Sequence, residues 1–120
     1  MATTLLTSGI TMGSSTLSPT GTAPSYTCRA WVNFNGTGTV AIREDGNVSS
    51  ITDNGTGSYT ANFANAMPDE NHCVSATTSQ VTSSWYVVGT VGASTANVGI
   101  STRYNGSQLD INRIFVAIFR

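Results

Sequence analysis

The chain has 120 residues, 39% of them hydrophobic and only 9% charged, with a formal net charge of −1. That length admits one domain, and an apolar content this high with so little net charge favours a folded chain over a disordered one. All five cations are arginines (Arg29, Arg43, Arg103, Arg113 and Arg120) and they are scattered, so the clustered basic footprint of a nucleic-acid binder is absent.

Residues 1–25 read as an extended N-terminal arm, rich in Ser, Thr and Gly, with Pro19 and Pro24 near its end. Its short apolar clusters, Leu5, Leu6, Ile10 and Met12, are too few for a core, and an exposed linker has no need of them. They are expected to dock against neighbouring chains or a larger assembly. The arm carries no continuous apolar stretch of the secretory type, and nowhere does the chain approach the roughly 20 apolar residues that span a bilayer. No membrane insertion is expected, and the expected route out of a cell is lysis.

Residues 26–120 read as a small antiparallel β-sandwich or barrel of about seven or eight strands. Cys28, Ala30, Val32 and Phe34 alternate with Arg29, Trp31 and Asn33, the period-2 signature of a strand. Asn35-Gly36-Thr37-Gly38 is a turn, since Asn and Gly tolerate positive φ. Thr39–Arg43 resumes as a strand, Glu44-Asp45-Gly46-Asn47 reads as the next turn, and Val48–Thr52 as the next strand. Asn54-Gly55-Thr56-Gly57 repeats the turn chemistry before Ser58–Ala64, where Tyr59, Ala61 and Phe63 align. Met67-Pro68-Asp69-Glu70-Asn71 is a loop, with Met67 held extended by the proline after it. His72–Thr78, Trp85–Val91 and Asn97–Tyr104 complete the regular strands, and Asn105-Gly106-Ser107 makes another turn. No segment shows a helical period of useful length, and strands at this spacing suit a sandwich or barrel.

The last run, Ile111–Arg120, is apolar on both faces. Ile111, Phe115, Ala117 and Phe119 lie on one, and Ile114, Val116 and Ile118 on the other. A strand apolar on both faces is buried on both. The first set is assigned to the protomer's own core. The second is expected to meet another subunit, with a second sheet of the same protomer as the competing explanation.

The segments CRAWVNFNGTGTVAIR (Cys28–Arg43), GNVSSITDNGTGSYTANF (Gly46–Phe63) and AMPDENHCV (Ala66–Val74) resemble a segment of bacteriophage tail-fibre-type proteins, especially those of phages of cyanobacteria and other aquatic bacteria. The arm piece GITMGSST (Gly9–Thr16) is similar to the Gly-Ile-x-Phe-x-Asp-Gly-Thr words that precede such domains, with Met12 and Ser14–Ser15 replacing Phe and Asp-Gly. The resemblance implies a β-rich, usually trimeric domain on the virion surface. It implies a tail-fibre or short-fibre role in host attachment, with a capsid decoration or cement protein as the alternative. The implied partners are further copies of the chain in a homotrimer, other phage virion proteins and a host-surface glycan. The implied location is the virion, assembled in the host cytoplasm and released by lysis.

Chemistry is not expected. His72 and Cys73 are sequence neighbours, which point to opposite faces of a regular strand, and structural zinc wants four ligands at recognised spacings. Asp45 and Asp53 in Gly-rich turns read as Asx-turns and not as calcium loops. The lone histidine has no nucleophile motif, and Glu44–Asp45 and Asp69–Glu70 are solvated turn charges. No catalytic residue, cofactor or metal is therefore assigned, and the chain is not read as an enzyme. Cys28 and Cys73 are expected as buried free thiols. For receptor binding the candidates are Trp85 and Tyr86, after a polar loop, with Tyr104 and Asn105, because sugars are held by aromatic faces and planar polar groups. Trp31 is read as structural.

Overall fold

A computed structural model describes residues 10–12, 15–17, 20–79 and 86–120. Every regular element among them is a β-strand: β1 (Ile10–Met12), β2 (Ser15–Leu17), β3 (Cys28–Asn35), β4 (Ala41–Gly46), β5 (Val48–Gly55), β6 (Ser58–Phe63), β7 (Cys73–Thr78), β8 (Tyr86–Ala93), β9 (Asn97–Tyr104), β10 (Ser107–Gln108) and β11 (Ile114–Phe119). β1 and β2 pair with one another, antiparallel. The other nine form two antiparallel sheets. One has four strands in the order β4-β3-β11-β7; the other has five, β10-β9-β6-β5 with β8 also on β9.

Alternation explains how the sheets face each other. Ala30, Val32 and Phe34 of β3 and Ile114, Val116 and Ile118 of β11 line the inner face of the four-stranded sheet. Tyr59, Ala61 and Phe63 of β6 and Val98, Ile100 and Thr102 of β9 line the inner face of the other. Together with Val48, Met67 and Ile111, the apolar side chains among these make one continuous core. Phe34 and Tyr59 meet edge to face across it, with ring centroids 5.3 Å apart at 73°. That arrangement suits the positive edge and negative face of aromatic rings.

The Tyr59 hydroxyl reaches out of the apolar layer. It lies 2.9 Å from the Gly36 carbonyl and 2.8 Å from Asp110 Oδ1, both acceptors for its one hydrogen. Asp110 Oδ1 also accepts from the Gly57 amide at 2.8 Å. One buried phenol thus ties the turn after β3 to the β5–β6 turn and to the segment ahead of β11. Burial pushes the Tyr59 phenol well above its ordinary range, and the bond and charge of Asp110 push it the same way.

The expected turn at Glu44–Asn47 is not one. Glu44 and Asp45 lie inside β4, opposite Asn33 and Val32, and β4 carries an extra residue, Arg43, between the Glu44 and Ile42 pairings. The chain passes from β4 in one sheet to β5 in the other at a single residue, Asn47, whose φ of 59° is left-handed. Asparagine tolerates that region because its short side chain bonds locally. Here Asn47 Nδ2 donates to the carbonyls of Arg29 and Asn65, and Oδ1 accepts from the Asn65 amide at 2.7 Å. Arg43, at the bulge, donates to the Asn112 carbonyl and side chain at 2.6 and 2.7 Å. Asp45, paired with Val32 in β4, is not in an Asx-turn; Asp53 is, accepting from the Gly55 amide at 3.0 Å.

The C-terminal strand corrects the assignment of its faces. Ile114, Val116 and Ile118, expected at a subunit contact, are at most 2% exposed and sit in the protomer's own core. Phe115, Ala117 and Phe119, expected in the core, turn outward, and Ile111 precedes the strand. β11 is the third strand of four, flanked by β3 and β7, so the opposite sheet covers one face and the outside of the sandwich receives the other. The second sheet of the same protomer accounts for the burial of Ile114, Val116 and Ile118.

Both cysteines are free and exposed, not buried. Cys28 and Cys73 each pair with Phe119, from opposite sides of β11. They stand two strand spacings apart, roughly 9–10 Å, beyond the ~7 Å limit for a disulfide.

Candidate functional site

Three of the four expected receptor residues come together at one end of the five-stranded sheet. Tyr86 of β8 pairs directly with Tyr104 of β9, with ring centroids 5.0 Å apart and planes inclined at 40°. Asn105 (φ 47°) and Gly106 (φ 85°) form the two-residue turn from β9 to β10. Two left-handed residues match the twist of a tight hairpin, which is why the sequence places Asn-Gly there. Tyr86 packs against the core, and Tyr104 follows Val98, Ile100 and Thr102 in the inward phase of β9. The tyrosines therefore close the end of the core, half-buried, and do not stand as an open stacking platform. Trp85 lies outside the described residues, as do Leu5 and Leu6 and the side chains of Ile10 and Met12.

A different aromatic is displayed. Trp31 is 41% exposed on the outer face of the four-stranded sheet. Across that face the register aligns Gly46, Trp31, Ala117 and Ser75 in one row and Glu44, Asn33, Phe115 and Thr77 in the next. The indole edge from Nε1 to Cδ1 rests on Gly46, where any Cβ would collide with it. The small residues Gly46, Ala117 and Ser75 leave a depression beside the large ones. The result is a groove of 380 Å³ lined by Trp31, Asn33, Phe115, Ala117, Ser75 and Thr77, with Val32 and Val116 beneath. No charged side chain lines it.

Within this groove the Asn33 carboxamide oxygen is buried and has no hydrogen-bond partner in the protein. Such an atom is costly unless something supplies the missing bond. Farther along the same face, Tyr26, Asn71, Cys73, Phe119 and Arg120 line a second cleft of 440 Å³. Its charged wall is closed by a two-pronged ion pair in which Arg120 donates to both oxygens of Asp69, at 3.0 and 2.6 Å. The Arg120 bond, with the Asn71 amide next, holds the Asp69 carboxyl below its usual range. His72 is 8% exposed, with Nδ1 3.2 Å from the Asp69 carbonyl and its ring edge-on to Phe63.

The outer face of the five-stranded sheet has the opposite character. Asn62 Nδ2 reaches Ser50 Oγ at 3.1 Å and Thr52 Oγ1 at 3.0 Å, and Asn54 Nδ2 donates to Thr60 Oγ1 at 2.8 Å. Along β5 and β6 hydroxyls and amides bond one another, while on β9 the Ser101 hydroxyl is buried without a partner.

Among the described residues no three His, Cys, Asp or Glu side chains gather as metal ligands would. What the outer groove offers is an indole, a phenyl ring and two hydroxyls, all uncharged. Reading Trp31 as structural missed this. The signal was present, because Trp31 falls on the strand face opposite Ala30, Val32 and Phe34, where a buried tryptophan has no place. No protein-family model, curated protein or solved structure matches the chain.

Proposed function

We propose that the chain is a structural virion protein of a bacteriophage, a tail-fibre or short-fibre domain that takes part in host attachment. The observation that carries this reading is the exposed Trp31 in an uncharged groove beside Asn33, on strands spelled by the tail-fibre-type words. Those words run through β3, β4, β5 and β6 and into the start of β7. A rigid sheet displaying one aromatic and several planar polar groups is a means of recognising a surface without altering it. In this reading the chain works as a homotrimer among other virion proteins, is made in the host cytoplasm and leaves by lysis. The contact between copies, first assigned to Ile114, Val116 and Ile118, moves to outward-facing side chains and to the arm.

Exposed Tyr26 and Phe119, at the far end of the same face, favour a second reading. Large apolar side chains suit a permanent protein neighbour, and a capsid decoration or cement protein would present them to capsomers without a receptor. Two measurements separate the readings. Fluorescently labelled protein should bind host cells saturably, and antibodies against the chain should mark tails of intact particles by electron microscopy. Labelled heads with unlabelled cells would replace attachment by decoration.

A further inference from the structure

We infer that Asn105 is a modification site: its side-chain amide is lost spontaneously to the Gly106 backbone nitrogen, leaving aspartate or isoaspartate at the tip of the β9–β10 hairpin. This goes beyond the attachment reading and does not depend on it. The chain spells Asn-Gly three times, at Asn35-Gly36, Asn54-Gly55 and Asn105-Gly106. In an unfolded chain the three are near equals, because glycine puts no side chain in the way of its own nitrogen. The reaction is a ring closure. The glycine nitrogen gives up its proton to base and bonds to the asparagine Cγ. The Cγ–Nδ2 bond breaks, and ammonia leaves with a proton taken from water. Water then opens the imide ring. Cleavage between the nitrogen and Cγ yields aspartate; cleavage between the nitrogen and the main-chain carbonyl carbon yields isoaspartate, whose backbone runs through the former side chain. One water enters and one ammonia leaves, with no oxidant or reductant.

The fold separates the three pairs. Closure needs a glycine amide free of any acceptor and a turn able to swing that nitrogen against Cγ. Gly36 meets neither demand. It is buried, its amide donates to the Ile111 carbonyl at 2.9 Å, and even a Cβ there would strike the Tyr59 hydroxyl. The Asn35 carboxamide is held too, its Oδ1 accepting from the Thr37 amide and hydroxyl at 2.9 and 2.7 Å. The second pair is exposed, but both reacting groups are tied. The Gly55 amide donates to Asp53 Oδ1 at 3.0 Å, and Asn54 Nδ2 donates to Thr60 Oγ1 at 2.8 Å. Asn105 and Gly106 are exposed, and nothing lies within 4 Å of where a Gly106 Cβ would stand. Among the described residues no hydrogen bond occupies the Gly106 amide or the Asn105 side chain. The Gly106 carbonyl accepts from Arg103 at 3.2 Å, but that atom is not part of the ring. Asn105, at φ 47°, has to rotate out of its left-handed turn, and the tip of a hairpin is where a fold resists this least. The products matter where they form. Isoaspartate adds a carbon to the backbone of the turn that sets Ser107 opposite Tyr104. Either product adds a carboxylate to a chain of net charge −1, in a turn that Arg103 already holds.

The full chain is aged at mildly alkaline pH, cut at its arginines and followed by chromatography with mass spectrometry. Cleavage at Arg103 and Arg113 releases Asn105 in Tyr104–Arg113, and cleavage at Arg29 and Arg43 releases Asn35 in Ala30–Arg43. Asn54 falls in Glu44–Arg103. Aspartate and isoaspartate peptides share one mass and elute apart. In the folded chain Asn105 should convert about tenfold faster than Asn35 or more, with Asn54 between them, since one net hydrogen bond and a factor of ten in rate are of similar size. In concentrated urea the three rates should converge. Asn105→Asp keeps a residue that tolerates the left-handed region. It should lack the first acidic species that ageing of the wild type produces on anion exchange. The site is overturned if Asn35 or Asn54 converts as fast as Asn105 in the folded chain. It is also overturned if the same order persists in urea, because local sequence and not the fold would then set it, or if the early acidic species remains in Asn105→Asp. None of these readouts involves cells or particles, so failure of the attachment reading leaves the site standing.

Discussion

On the outer face of the five-stranded sheet, the Asn62 amide is spent on Ser50 and Thr52 of the neighbouring strand. On the outer face of the four-stranded sheet, the Asn33 oxygen is buried with no partner, beside a tryptophan that is 41% exposed. Both faces are pleated surfaces of the same sandwich, made of uncharged residues for the most part. Each face hides one unpartnered polar atom, Asn33 Oδ1 on one and Ser101 Oγ on the other, so the difference lies in what is displayed: bonded amides and hydroxyls along β5 and β6, and an indole in an uncharged groove on β3. Amides and hydroxyls that bond one another gain little from a visitor, whereas an exposed indole gains from a partner that covers it.

The largest effects should separate inside from outside on one strand. Val116→Asp places an unpaired charge in the core and should cost roughly 4 kcal/mol or more, giving an unfolded chain by circular dichroism. Phe115→Asp, one residue away but outward, should stay folded with about 1–2 kcal/mol lost. Folded Val116→Asp protein would restore that residue to a subunit contact and break the comparison at its base.

Between the two faces, Tyr59→Phe removes the hydroxyl shared by Gly36 and Asp110 and should lower stability in urea by about 2 kcal/mol. The same network gives a pH signature. Because the folded state holds the Tyr59 phenol up, its stabilisation is complete below the ordinary phenol value of about 10 and is lost as pH rises beyond it. Denaturant midpoints should fall above that pH in the wild type and less in Tyr59→Phe.

Asparagine substitutions sharpen the contrast of the outer faces directly. Asn62→Ala should cost about 1 kcal/mol by breaking bonds that exist, while Asn33→Ala should cost nothing or stabilise slightly. Equal losses at both positions would mean that Asn33 is paired in solution.

The smallest effect belongs to the Asp69–Arg120 pair beside the second cleft. Asp69 is held below its ordinary range, so its contribution is present above that range and fades as pH falls through it. Arg120→Ala should lower the neutral-pH midpoint slightly and leave the acid midpoint unchanged, so that the acid limb flattens by a small amount, as befits an exposed pair.

Most of the framework was legible in the sequence because alternation and Asn-Gly turns are local signals. Cys28–Asn35, Ser58–Phe63 and Asn97–Tyr104 lie where the period-2 pattern puts them. The Glu44–Asn47 misreading has a physical cause: charged residues followed by Gly-Asn imitate a turn, but here a bulge at Arg43 and one left-handed asparagine bend the chain between sheets. On β11 the double-sided apolarity was visible, yet Ile, Val, Phe and Ala are all at home in a core. Parity separates the two faces without saying which points in. Cys73 was misplaced for the same reason, whereas Cys28 shares the phase of Ala30 but stands at the start of β3, beyond a register shift that sets it opposite the outward Phe119. The Tyr86–Tyr104–Asn105 cluster was half legible: the residues meet as expected, but partner strands fix the tyrosines against the core. The Trp31 groove depends on rows spanning four strands that are far apart in sequence. Only the tryptophan's odd parity announced it.

The place of β11 has a consequence for the order of events during synthesis. The strand that joins β3 to β7 consists of residues close to the C-terminal end of the chain described here. Val32, among the first core residues to be translated, finds its neighbour Val116 only after nearly every other strand has emerged. Until then β3 can pair with β4, but its other edge stays open, and half of the inner lining of the four-stranded sheet is missing. Contacts so distant along the chain close slowly, and open strand edges invite wrong partners while they wait. The nascent chain is therefore most vulnerable to mispairing until β11 has left the ribosome. Loss of β11 would split one sheet in two instead of trimming its edge.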